Sequence, residues 1–97
     1  MWTIGGLDLH SRLLVGTGRY ADFDVMSAAH DASGTQMVTM AIRRVDLDAQ
    51  GIANVLDHLD RSKVHLLPNT AGCYTAEDAV MTAHLAAELL ETQWLKL

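Results

Sequence analysis

Apolar residues along this chain gather in short continuous runs separated by longer stretches with a helical period. Leu13, Leu14 and Val15 form the first run, Met37 to Ile42 the second, and His65, Leu66 and Leu67 the third. Runs of this kind fit strands covered on both faces. Gly16-Thr17-Gly18 breaks the first. Pro68 is expected to end the third, because proline donates no ladder hydrogen bond. Between the runs, residues 22–33 predict a helix that Asp22 caps and Gly34 stops, with Val25, Met26, Ala29 and Ala32 on one side. A shorter helix follows Asp48, another competent cap, and carries Ile52, Val55, Leu56 and Leu59 at helical spacing. The third helix starts at Thr75, where Thr75-x-x-Asp78 has the form of a capping box. Ala76, Val80, Ala83, Ala87 and Leu90 make its narrow stripe, suited to lying close against a sheet. Trp94 to Leu97 begins a fourth strand. Ahead of all these, residues 2–10 alternate weakly about Gly5-Gly6 and predict a hairpin with Trp2, Ile4, Leu7 and Leu9 as its apolar members.

Strands near 13–16, 37–42, 64–67 and 94–97 alternating with helices predict an α/β protein with a parallel sheet. No repeat, low-complexity segment or linker divides the chain. Two architectures share this order: an open doubly wound sheet and the front of a (β/α)8 barrel, and periodicity alone does not separate them. Gly16-Thr17-Gly18 lacks the third glycine of a dinucleotide fingerprint, since Ala21 or Asp22 stands there. In either architecture ligands meet the loops at the carboxyl ends of the strands.

That rule selects the candidate residues. In a fourth strand Trp94 and Lys96 point to one face, and Leu95 and Leu97 to the other. Lys96 would then face a barrel interior, where a desolvated amine attacks a carbonyl to form an imine. The plainer alternative is a solvated lysine near a chain end. Asn69 and Thr70 end the third strand. Thr39, Ala41 and Arg43 alternate to one side of the second, so Arg43 could steer an anion. Its alternative, shared by Arg44, is a structural ion pair with Asp46 or Asp48. Cys73 reads either as a small residue packed beneath a loop or as a reactive thiol. His10, His30, His58, His65 and His84 show no metal-ligand spacing, so no metal is expected. The acidic residues are dispersed.

A net charge of −5 with scattered basic residues argues against nucleic acid or a membrane surface as partner. No run approaches the roughly 20 apolar residues of a membrane span, and the start lacks the order of a signal peptide. Cytoplasm is the expected compartment. A single cysteine excludes an intrachain disulfide.

Pro68-Asn69-Thr70-Ala71-Gly72-Cys73-Tyr74-Thr75-Ala76-Glu77-Asp78-Ala79 resembles the signature loop of the bacterial thiazole synthases of thiamine biosynthesis. Ser11 to Tyr20, Val38 to Val45 and the closing Trp94-Leu95-Lys96-Leu97 agree with that family in order and spacing. The similarity covers nearly the whole chain but only the front of the family's length. The resemblance implies that residues 1–97 are the N-terminal βα units, about half, of a TIM (β/α)8 barrel, ending in its fourth strand. It implies Lys96 as the imine-forming lysine and no cofactor. The implied reaction joins 1-deoxy-D-xylulose 5-phosphate, dehydroglycine and sulfur from a thiocarboxylated sulfur-carrier protein into thiazole phosphate. A homo-oligomer is also expected. The family's acidic residues and phosphate loops lie past the lysine and outside this sequence. The rival expectation is therefore a non-catalytic half-barrel that acts as an oligomerising or interaction module through its open edges and inner face.

Overall fold

The fold comes from a computed structural model that describes residues 1–44 and 49–97. The chain opens with an antiparallel hairpin of β1 (Trp2–Ile4) and β2 (Leu7–Leu9), with Trp2 opposite Leu9 and Ile4 opposite Leu7. Gly5 and Gly6 form its turn at φ values of 52° and 84°. Positive φ at both central residues is what a tight two-residue hairpin needs.

Three parallel strands follow, in the spatial order β3 (Leu14–Gly16), β4 (Met37–Ala41), β5 (His65–Asn69). Val38 pairs with Val15 on one side and with Leu66 on the other. The helices are α1 (Phe23–Ser33), α2 (Ala49–Asp57) and α3 (Ala76–Leu90), and a 3-10 turn over Ile42–Arg44 follows β4. All three helices lie on one face of the sheet. Met26 of α1, Val55 and Leu56 of α2, and Ala86 and Leu90 of α3 pack with Val38, Met40 and Leu66. The hairpin takes the opposite face, where Leu9, Met37 and Leu67 are buried together beneath Trp2, Leu7 and Trp94. Helices on one face only are the arrangement expected for the front of a (β/α)8 barrel. No helix among the described residues is long and apolar enough to cross a membrane.

Pro68 does not end the third strand. It lies within β5 opposite Met40, and Asn69 continues the pairing opposite Ala41. Successive residues of a strand turn their N–H and C=O groups to opposite neighbours. The Pro68 carbonyl accepts the Lys96 amide at 2.9 Å, so the missing N–H falls on the side of the C-terminal segment. The β4–β5 ladder therefore loses nothing, and the cost falls on the fourth strand. That expected strand is reduced to one parallel bridge between Asn69 and Lys96. Upstream of it the Trp94 amide donates to the Thr92 hydroxyl, which makes a long 3.5 Å contact with the Leu66 carbonyl.

The caps fall where the sequence places them. Asp22 accepts the Val25 amide at 2.8 Å, and Gly34 closes α1 in the left-handed region. Thr75 accepts the Asp78 amide at 3.1 Å. The other half of the expected capping box is diverted, because the Asp78 carboxylate turns to Arg43 instead. Asp48 and the side chain of Ile52 lie outside the described residues.

Two helix faces are rotated from their expected stripes. In α1, Val25 and Ala32 are exposed, and the buried residues are Met26 and His30. The cause is polar: the His30 ring Nε2 sits 2.9 Å from the Gly16 carbonyl, which turns that edge inward. In α3, Ala76, Val80 and Ala87 are exposed, while Thr82, Ala86 and Leu90 are buried. Thr82 is drawn in by the Cys73 sulfur, 3.3 Å from its hydroxyl. Alanines on both sides of a helix leave such contacts to decide the face.

Candidate active site

The carboxyl ends of β3, β4 and β5 open into a cleft of about 750 Å³, lined by Gly16 to Arg19, Thr39, Ala41, Asn54 and Asn69 among others. Each strand contributes through its last inward residue. The Asn69 amide group donates to the Thr39 hydroxyl at 2.7 Å, which fixes both side chains on the face away from the helices. The Asn69 Oδ1 also accepts the Ala71 amide at 3.1 Å and so holds the turn that leaves β5.

Lys96 stands beside Asn69. Its amide donates to Pro68 O at 2.9 Å, and its carbonyl accepts Thr70 N–H at 3.2 Å. Residues paired across a sheet share a face, so Lys96 lies on the face of Asn69 and Thr39, with Trp94 two residues before it. The Lys96 side chain is exposed rather than enclosed. It makes no ion pair or hydrogen bond among the described residues.

The loop after β3 is braced at both ends. The Tyr20 hydroxyl and the His30 ring both reach the Gly16 carbonyl, at 3.2 and 2.9 Å. The Thr17 hydroxyl donates to Thr39 O at 3.2 Å. Arg19, at φ 69°, is held in the left-handed region, which a non-glycine residue adopts only under constraint. The expectations from sequence did not include Arg19. The signal was present, as a cation directly after Gly16-Thr17-Gly18 at a strand end.

Arg43 does not join this group. It sits in the 3-10 turn, and its Nη1 lies 3.4 Å from Asp78 Oδ2, both side chains being about half exposed. The Cys73 sulfur beside it and then the Asp78 carboxylate raise the guanidinium above its ordinary pKa. The ion-pair alternative thus describes Arg43, with Asp78 as partner; Asp46 lies outside the described residues, as does Asp48. Cys73 is half-buried against Thr82, which is the packed reading of that residue. Thr70 serves the backbone, its carbonyl accepting Cys73 N–H at 3.0 Å.

A larger concavity of about 910 Å³ lies at the other end of the strands, between the end of α1 and the loop after α2. Asp31, Asp57, His58 and Asp60 line it, yet no group of three or more metal-binding side chains gathers among the described residues. Chemistry favours the smaller cleft, where the strands deliver polar side chains together.

A parallel sheet, helices on one face and a polar cleft at the carboxyl ends define an α/β protein of the kind that builds its active site on βα loops. The family model described as thiazole biosynthesis protein ThiG matches residues 3–97, and the chain belongs to that family. It is 52% identical over 96 residues to a thiazole synthase of Myxococcus xanthus, covering 99% of this chain and 37% of the relative. A thiazole synthase of Solibacter usitatus is 53% identical over 95 residues, covering 98% and 37%. One from Bordetella avium is 58% identical over 90 residues, covering 92% and 34%. The chain thus spans a little over a third of the length of these relatives.

Proposed function

We propose that this chain forms the front of a thiazole synthase, the first βα units of a (β/α)8 barrel, and carries its imine-forming lysine. Family membership supports the reaction, and one observation supports the residue: Lys96 is bridged to Asn69, on the strand face that lines the cleft. In the proposed reaction the neutral Lys96 amine attacks the ketone carbon of 1-deoxy-D-xylulose 5-phosphate. Loss of water gives the imine, whose protonated form withdraws electrons from the neighbouring carbons and lets them lose a proton. Sulfur then arrives from the thiocarboxylate of a sulfur-carrier protein, and dehydroglycine supplies the nitrogen. Cytoplasm is the compartment that suits these partners.

The later strands of the family's barrel would enclose the exposed Lys96 side chain and lower the water content around it. Thr39 and Asn69 would stay in place, since their hydrogen bond lies wholly within this chain. The test is rescue of a bacterium unable to make thiazole. A hybrid of residues 1–97 with the remaining length of the Myxococcus relative is expected to restore growth without added thiazole, and residues 1–97 alone are not. Failure of the hybrid, where the intact relative succeeds and both accumulate, would contradict the reading.

A second reading rests on the edge of the sheet. Leu13 and Leu14 are 52% and 40% exposed at β3, which no described strand covers on its outer side. Such an edge favours association with another copy or with the rest of a barrel.

A further inference from the structure

The cationic side chains of this acidic chain are mostly occupied. Arg43 pairs with Asp78 and Lys63 with Asp60. Arg61 donates to the last carbonyl of α3, at Leu90, and Arg12 lies over the Trp2 ring. Arg19 and Lys96, by contrast, make no ion pair, side-chain hydrogen bond or ring contact among the described residues. Both stand at the carboxyl ends of the strands, and Arg19 lines the cleft.

Arg19 is also placed there at a cost. A left-handed backbone is unfavourable for an L-residue, and it persists only where the surroundings fix it. Here they do, through the two donors on the Gly16 carbonyl and the Thr17 bond to β4. The amides of Gly18 and Arg19 take no part in hydrogen bonds among the described residues. A braced loop therefore presents one unpaired guanidinium and two unused N–H donors at a cleft. Successive free amides around a left-handed residue favour anions, and a guanidinium matches the paired oxygens of a carboxylate or phosphate.

We infer that Arg19 and the Gly16–Arg19 loop form an oxyanion-binding site, which takes the carboxylate or phosphate group of a ligand lying in the cleft. The site does not depend on an imine at Lys96, so the two readings fail separately.

The experiment is a ¹H–¹⁵N titration of the chain with sodium phosphate and, separately, with sodium acetate, against sodium chloride at equal ionic strength. Saturable shifts at the Gly18 and Arg19 amides are expected with at least one oxyanion and not with chloride. Saturation by phosphate alone assigns a phosphate ligand, and by acetate alone a carboxylate. Arg19→Gly tests the residue itself, since glycine accepts the left-handed backbone without strain. It is expected to weaken binding about tenfold, the scale of one lost hydrogen bond to a charged group, while the melting temperature holds or rises. Absence of saturable shifts with either anion would overturn the inference. So would an Arg19→Gly chain that melts lower and binds as tightly, because Arg19 would then be structural.

Discussion

The Trp94 ring lies against Gly5 so closely that a Cβ on Gly5 would stand 2.5 Å from Cη2 and 2.9 Å from Cζ2. The contact joins the first turn of the chain to the segment that carries Lys96, and that segment holds only one bridge to the sheet. Gly6, next to it, has open space where its Cβ would be. Both glycines have positive φ, so alanine at either costs about 1 kcal/mol of backbone strain. Gly5→Ala is expected to cost about 1–3 kcal/mol more than Gly6→Ala, through displacement of a packed ring. Urea melts of the two variants measure the difference. Equal losses would show that the ring moves aside freely.

The cap of α3 separates two small effects. Thr75→Ala removes the acceptor for the Asp78 amide and is expected to cost about 1 kcal/mol. Asp78→Asn removes the half-exposed pair with Arg43 and is expected to cost under about 1 kcal/mol. Thermal melts rank them, and a larger loss for Asp78→Asn would mean that the pair holds the loop after β5.

Asp60 gives a pH signature. The Ser62 hydroxyl, then its backbone amide, and more weakly Lys63 lower the Asp60 pKa below its ordinary value. A carboxyl lowered on folding adds stability above its unfolded pKa, and that stability fades as pH falls through the folded value. Ser62→Ala is expected to move the Asp60 pKa upward, read from its carboxyl carbon shift between pH 2 and 6. An unmoved titration would remove the hydroxyl as the cause.

The sheet edge predicts behaviour in dilute solution. With Leu13 and Leu14 exposed at the outer edge of β3, which no described strand covers, the chain by itself is expected to sediment as dimers or larger species. Leu13→Lys should raise the monomer fraction. A compact monomer with a sharp melt in the unaltered chain would contradict this.

Most of the strand and helix order was legible in the sequence because apolar runs and caps act locally. Asp22, Gly34 and Thr75 need only neighbours within a few residues to take their roles. The errors came where a distant partner decided. Pro68 stays in β5 because its missing N–H points to a segment 28 residues later, toward Lys96. The α1 and α3 faces turn toward Gly16 O and Cys73, contacts that an alanine-rich helical period does not encode. In the cleft, Asn69 was readable as a strand end, whereas its bond to Thr39 required the register of two strands. Arg19 required a backbone angle.

The central claim concerns Lys96, and the most direct measurement is reductive trapping. The hybrid of residues 1–97 with the remaining length of a relative is incubated with 1-deoxy-D-xylulose 5-phosphate and borohydride, then digested and mapped by mass. The adduct is expected on the peptide bearing Lys96 and is expected to vanish in Lys96→Ala and Lys96→Arg, since a guanidinium stays protonated and is no nucleophile. Residues 1–97 alone are expected to trap little, because proximity supplies most of the rate. An adduct on Lys63, the other lysine of this chain, or one that survives replacement of Lys96, would contradict the account.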